Sequence, residues 1–339
     1  MTGSFDRIRY DRFIDESFVS SVYLGKLRAI VDAIRELQPK VENPQYAFDL
    51  HLREKSQIMV YHGGTCLLTI KVGRLEKYGH ISFVSNSYKN KELCSEEFRL
   101  LSELNNLNDM TLVVQRITNF LLQAVRAVDK KWFSKEAFFA SKLSIDYGAN
   151  WHSGLDWMII DREAVLGFDT SDLKNKYYQV CKSSTAAITR QLKDEDSKLW
   201  GKNVKNFGDE VDFLAIGPDG QLVCIELKHE SFVSGIYWSP IQASVYREAF
   251  RGAIDAISDA IKKLVNQKVS LGLLPIEARD RLPDRFTSVE SIVFVVCGER
   301  NSKCWDKLAV VRKMLHEPID VYVSDLVGDN AKFTLLETA

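Results

Sequence analysis

VDFLAIGPDGQLVCIELKHE, residues Val211 to Glu230, decides how this chain reads. Two apolar runs flank Gly217-Pro218-Asp219-Gly220-Gln221. That sequence suits a three-residue hairpin loop, with Pro at the second position of a type I turn, then Asp, then Gly in the left-handed conformation. Such a loop pairs Gly217 with Gln221 and sets the register of every later pair. Asp212 then lies opposite Glu226, and Glu210 opposite Lys228. Opposed side chains share a face, with β-carbons ~5 Å apart. Asp212, Leu214, Ile216, Leu222, Cys224, Glu226 and Lys228 therefore line one face, and Val211, Phe213, Ala215, Val223, Ile225 and Leu227 the other. Both faces are apolar through most of their length, which predicts a hairpin covered on both sides.

The charged residues gather at one end of one face. Two opposed carboxylates repel, and burying them unpaired is costly. A divalent cation between them removes the conflict, since Mg²⁺ takes one or two carboxylates together with water and substrate phosphate oxygens. Lys228, two residues beyond Glu226, projects to the same place and can orient or deprotonate a water. Phosphodiester hydrolysis uses these parts: a metal to stabilise charge, a cation at the attacked phosphate, and a positioned water.

Asp212 followed by Glu226-Leu227-Lys228 at the end of the next strand resembles the PD-(D/E)XK nuclease superfamily signature. Gln242 and Tyr246 follow, four residues apart and so on one face of a helix. This Gln-x-x-x-Tyr pair after an E-x-K strand resembles the RecB-like branch. The resemblance covers roughly residues 155–325. No proline precedes the Asp, where the sequence is Glu210-Val211-Asp212. The resemblance implies a restriction-endonuclease-like α/β fold, a mixed sheet flanked by helices, and a Mg²⁺- or Mn²⁺-dependent nuclease cutting a nucleic-acid backbone, with DNA the expected substrate. Asp212, Glu226 and the Leu227 backbone carbonyl would hold metal, and Lys228 would handle the water. Gln242 would steady the site or a phosphate, and Tyr246 would contact the nucleic-acid strand. Many members carry a further acidic residue on the helix before the hairpin. Glu195 is the candidate, with Asp194 and Asp196 beside it. Glu210 is either a further ligand or the ion-pair partner of Lys228, and the pairing favours the second.

Around this core the 339 residues have the length for two ordinary domains. We place an α+β domain of unknown role at 1–150 and the nuclease-like domain at 151–339. In the first, "FVSSVYLGKLRAIVDAIREL" reads as a helix and "YAFDLHLREK" as a strand. "SQIMVYHGGTCLLTIKVG" reads as a hairpin turning at Gly63-Gly64, "GHISFVSN" as another strand, and 95–130 as helical. Clear periodicity is lost between Lys131 and Gly154. In the second, "LDWMIIDREAVLGF" reads as two short strands and 171–206 as a helical lysine-rich stretch. After the hairpin come a long helix beginning near Ser239, the strand "SIVFVVCG", the helix "DKLAVVRKMLH" and the strand "IDVYVSD". That alternation predicts a sheet with a parallel portion.

The net charge of −1, from 45 basic and 46 acidic residues, excludes coating nucleic acid by bulk charge. Contact must come from local patches. Residues 171–206 hold eight basic against four acidic residues, a local +4, and Lys202 and Lys205 lie closest to the hairpin. Six scattered cysteines without a CxxC pair argue for reduced thiols, and the chain lacks an apolar leader or a run of ~20 apolar residues. The expected location is the cytoplasm, with no membrane partner. His62-Gly63-Gly64-Thr65 has the look of an oxyanion loop, but no G-x-S-x-G accompanies it, and a hairpin turn is the better reading. Cys297, Cys304 and His316 lack zinc spacing. His229 falls on the face opposite Lys228. Two other roles fit the same residues: a catalytically silent nucleic-acid-binding module, or an interaction component of a defence or repair assembly. The N-terminal domain could serve a protein partner or a homo-oligomer.

Overall fold

The computed structural model describes residues 8–18, 20–37, 48–73, 80–85, 95–127, 135–200, 209–297, 302–325 and 332–336. The chain divides into two compact units: Asp11–Leu155 with Ala260–Asp280, and Met1–Tyr10 with Asp156–Asp259 and Arg281–Ala339.

In the first unit, α1 (Ser21–Glu36) starts at Ser20, whose hydroxyl accepts the Tyr23 amide at 3.2 Å. It buries Tyr23, Leu27, Ile30, Val31 and Ile34, the three-to-four-residue stripe expected of an amphipathic helix. Strands β1 (Phe48–Arg53), β2 (Gln57–His62), β3 (Thr65–Gly73) and β4 (His80–Ser85) form an antiparallel sheet in sequence order. The β2–β3 hairpin turns at Gly63-Gly64, with Gly63 at φ +59°. Added bulk at Gly64 would meet Ala137 Cβ at 2.8 Å. Pairs such as Leu52↔Ile58, Ile58↔Ile70 and Ile70↔Phe83 carry one buried apolar face across all four strands. Helices α2 (Ser95–Ser102), α3 (Met110–Ala127) and α4 (Lys135–Ser144) belong to the same unit, α4 running into a π-turn at Ile145–Ala149. Residues 135–149, inside the stretch 131–154 that shows no clear periodicity in the sequence, are thus helical. A π-turn advances the chain out of the 3.6-residue phase, which erases the stripe.

The second unit is built on a six-stranded sheet. Its elements are β5 (Met158–Val165), α5 (Ser171–Glu195), β6 (Glu210–Ile216), β7 (Leu222–His229), α6 (Val233–Ser270), β8 (Val289–Cys297), α7 (Ser302–Met314), β9 (Asp320–Asp325) and β10 (Phe333–Leu335). Residues of α6 up to Asp259 belong to this unit, and those from Ala260 to the other. The strand order is β10-β9-β8-β7-β6-β5, with β7, β8 and β9 parallel and the remaining pairs antiparallel. Both parallel crossovers carry a helix, as parallel connections require. On one face Val293, Val295, Val321 and Val323 pack with Ile236, Ile241, Leu308 and Val311.

Two sequence readings are corrected here. Residues 158–165 form one strand, not two: the pairing with β6 shifts between Ile159 and Asp161, and Glu163 has φ +52°. Such a bulge breaks the alternation without ending the strand. Helix α6 starts at Val233, so Pro240 lies inside it. Proline cannot donate to the Ile236 carbonyl four residues back. The Ser239 hydroxyl donates there instead, at 2.7 Å, so the helix continues through. The short β10 was not anticipated: three residues with Thr334 and Leu335 exposed leave little pattern.

Candidate active site at the carboxyl end of strand β7

The hairpin register places the site. Gly217 N–H donates to Gln221 O at 2.9 Å, and the ladder runs Ile216↔Leu222, Ala215↔Val223, Leu214↔Cys224, Phe213↔Ile225. Gly220 takes φ +77°, as the loop demands. The strands are covered on both sides, since every residue of β7 is buried and, in β6, all but Glu210 and Asp212. Asp212 and Glu226 come one step past the last ladder pair, on the face of Leu214 and Cys224. They sit at the carboxyl end of a parallel strand, where open α/β sheets commonly bind ligands.

There the backbone ladder gives way to side chains. The Asp212 carboxylate accepts the Leu227 amide at 2.7 Å. The Lys228 ammonium donates to Glu226 Oε1 and to the Leu227 carbonyl, the latter at 2.9 Å, and lies 3.8 Å from Asp212 Oδ2. Glu226 is 1% exposed at its side chain and Asp212 34%, so the pair has a dry inner member and a wet outer one. Burial, then the neighbouring Asp212 charge, hold the Glu226 carboxyl well above the usual carboxylate range despite the pull of Lys228. Its Oε2 is buried and, among the described residues, accepts no hydrogen bond. One buried lone-pair-rich oxygen, one solvent-facing carboxylate and one backbone carbonyl form a hard-oxygen donor set suited to Mg²⁺ or Mn²⁺. Among the described residues, no three His, Cys, Asp or Glu side chains gather as a metal site, so protein ligation here would rest on two carboxylates and the carbonyl.

Gln242 and Tyr246 join this cluster from α6. Gln242 Nε2 donates to Tyr246 Oη at 2.8 Å, and Tyr246 Oη donates to the Glu210 carbonyl at 2.6 Å. Tyr246 is fully buried, and burial followed by the Glu226 charge raises its phenol far above the ordinary value. The tyrosine is therefore an internal strut that fixes the start of β6, not the exposed strand contact expected of it. Glu210 itself is exposed.

The remaining candidates fall elsewhere. Glu195 ends α5, is exposed, and accepts from Gln191 Nε2 at 3.0 Å on its own helix. Lys202 and Lys205 lie outside the described residues. His229 is buried, with its Nδ1 2.8 Å from the Ser231 hydroxyl, a structural role. Cys304 is a core thiol pushed up to about 11 by burial. Lys174, Lys182 and Asp209 were not singled out in the sequence, yet they meet beside the start of β6. The signal was the spacing of the two lysines, one turn either side of Tyr178.

Comparison with protein-family models, curated proteins and solved structures finds no match for this chain. Among the described residues, no helix is long and apolar enough to cross a membrane.

Proposed function

We propose that the chain is a metal-dependent nuclease, a PD-(D/E)XK-type hydrolase of phosphodiester bonds in DNA. The observation that carries this reading is Glu226: a carboxyl buried against Asp212, close enough to share a hydrogen bond with it when protonated, with Oε1 accepting from Lys228 and Oε2 meeting no donor among the described residues. A polar group left so in the interior is destabilising, and a catalytic or cation-binding role is one reason to keep it.

Asp212 and Glu226, with the Leu227 carbonyl, would hold Mg²⁺ or Mn²⁺, which when bound supplies charge stabilisation at the attacked phosphate. Asp212 faces solvent and marks the side from which a strand would approach. The other residues work around that position. The Glu226 carboxyl must release its proton before its second oxygen can serve as a ligand. Lys228, released from Glu226 where that carboxylate would hold a cation, would donate a hydrogen bond that orients a water, and would take up the water's proton only as the neutral amine, after giving up its own. Tyr246 and Gln242 keep the β6 backbone at Glu210 in place, so that Asp212 projects where Glu226 can meet it.

One observation favours a second reading, a silent nucleic-acid-binding module: Lys228 already occupies the space between the two carboxylates. The test is hydrolysis of supercoiled plasmid, linear duplex, single-stranded DNA and RNA with Mg²⁺, Mn²⁺ or EDTA, comparing wild type with Lys228→Ala. Cleavage that requires metal and drops ~10²–10⁴-fold in the variant, the usual worth of a proton-transfer group, supports the nuclease. Binding without cleavage, indifferent to metal and to the substitution, supports the silent module. Cleavage that survives Lys228→Ala sinks the site as drawn.

A further inference from the structure

Helix α5 carries a second charged arrangement close to the site. Lys174, Tyr178 and Lys182 are spaced by four residues and so share one helix face. All three converge on Asp209, the residue before β6. Lys174 Nζ lies 3.1 Å from Asp209 Oδ2, and Lys182 Nζ lies 3.6 Å from Oδ1. Tyr178 Oη donates to the Asp209 backbone carbonyl at 3.1 Å, and the Lys182 ammonium stands 5.7 Å over the Tyr178 ring. Tyr178 is buried, so the platform under the two lysines is rigid. The charged groups are not: Lys174, Lys182 and Asp209 side chains are each about one third exposed (36%, 32% and 33%).

Two ammonium groups thus meet one carboxylate, each beside a different oxygen of it. A surface ion pair of this exposure contributes little to stability, so stability alone gives weak reason for bringing two cations to one acid. Asp209 is three residues from Asp212, ~10 Å of extended chain. Along one nucleic-acid strand a phosphate recurs about every 3.4 Å of helix axis. The clamp therefore falls within reach of a phosphate a few nucleotides from one seated at Asp212.

We propose that Lys174 and Lys182 form a phosphate clamp for the nucleic-acid backbone, with the Asp209 carboxylate as its resting counter-ion. Its two oxygens stand where two phosphodiester oxygens sit in the complex. The clamp carries no base information. It tethers the strand and sets the register with which it crosses the carboxylates. Asp209 competes with the incoming phosphate and weakens the tether, which favours release after cutting.

This inference rests on the nuclease reading, and a binding experiment in EDTA separates the two. Fluorescein-labelled duplex and single-stranded DNA are titrated at several KCl concentrations, with wild type, Lys174→Gln/Lys182→Gln, Lys174→Arg/Lys182→Arg and Asp209→Asn. The glutamine pair is expected to bind more weakly. Its slope of log affinity against log salt should be shallower by about 1.8 on duplex or about 1.4 on single strand, the release expected for two phosphate contacts. The arginine pair should keep the wild-type slope, and Asp209→Asn should bind several-fold tighter. Wild-type binding with an unchanged slope in the glutamine pair overturns the clamp and leaves the nuclease standing. No binding by wild type to either DNA overturns the clamp, which holds its phosphate without metal, and leaves the nuclease to the cleavage assay. Should the glutamine pair fail to fold, Asp209→Asn still decides, because unaltered affinity in that variant removes the counter-ion role on which the clamp depends.

Discussion

The Asp212 carboxylate holds the Leu227 amide at 2.7 Å, an amide that the hairpin's register reserves for a backbone carbonyl. Gly217 and Gln221 are a hydrogen-bonded pair, so alternate pairs 215/223, 213/225 and 211/227 should be hydrogen-bonded as well. The ladder stops at Phe213↔Ile225. At the next such position a side chain replaces the Val211 carbonyl. This substitution lets the strands part at the place where Glu226 and Lys228 need room, while the Leu227 amide keeps an acceptor.

Asp212 thus has two tasks, which substitution should separate. Asp212→Asn keeps an acceptor for Leu227 and loses the charge that raises Glu226, so it should fold as stably as wild type and lose metal-dependent activity. Asp212→Ala leaves the amide without its partner and should cost ~1–2 kcal/mol relative to the asparagine variant. Urea unfolding of both variants checks this. Equal midpoints for Asn and Ala would mean that the hydrogen bond contributes nothing.

Much of this site was legible in the sequence because a turn is local. Gly217 to Gln221 fixes a register, and a register carries Asp212, Glu226 and Lys228 to one face with no long-range information. What was not legible depended on contacts between distant segments. The resemblance implied a substrate contact for Tyr246, and helical spacing said only that it shares a face with Gln242. Its burial comes from packing of α6, and its hydroxyl partner, the Glu210 carbonyl, is 36 residues away. The start of α6 at Val233 rather than near Ser239 depends on the Ser239 hydroxyl bonding to Ile236, which is not visible in a pattern. The meeting of Lys174 and Lys182 at Asp209 also needs the tertiary fold, since the partners are separated by more than 25 residues of chain.

Glu226 should make stability and metal response depend on pH in opposite senses. Its folded carboxyl keeps a proton that the unfolded chain releases near pH 4.3. A raised folded value means that its contribution to stability is complete below that pH and is lost as pH rises through the folded value. Wild type should therefore lose more stability than Glu226→Gln between pH 5 and pH 8. Metal binding must displace the same proton, so the stabilisation given by Mn²⁺ should grow over that interval and vanish in the glutamine variant. Thermal melts with and without Mn²⁺ at both pH values read the two effects. A Mn²⁺ shift independent of pH would show that Glu226 is not a ligand.

The strut on α6 should behave as a unit. Tyr246→Phe removes the hydroxyl between Gln242 and the Glu210 carbonyl, and Gln242→Ala removes one end of the chain. Each should cost ~1 kcal/mol of stability, the usual net worth of a hydrogen bond. The double variant should cost clearly less than the sum, as residues in one network do. If the strut positions Asp212, both substitutions should lower kcat and leave the affinity for DNA in EDTA unchanged. A loss of DNA affinity in Tyr246→Phe would restore the direct contact that its burial argues against.

Acid sensitivity of the four-stranded unit should trace to His62. It ends β2, is 1% exposed, and packs its ring 5.6 Å from that of Phe48. Burial lowers its imidazole to about 4, against a usual value near 6.5. The folded protein then holds the ring neutral where the unfolded chain would protonate it. The lowered value means that this contribution is fully present above pH ~6.5 and is lost as pH falls through about 4. The shift corresponds to at most ~3 kcal/mol. His62→Gln, which keeps a polar side chain and does not titrate, should flatten the stability profile between pH 6.5 and pH 4, whatever its effect at neutral pH. Urea unfolding in that window, followed by tryptophan-independent far-UV signal, gives the slope for each protein. The Glu226 effect runs the other way over its own range, with stability falling as pH rises, so the double variant His62→Gln/Glu226→Gln should show the flattest profile of all. A profile in which His62→Gln keeps the wild-type acid slope would place the titrating group elsewhere in the chain.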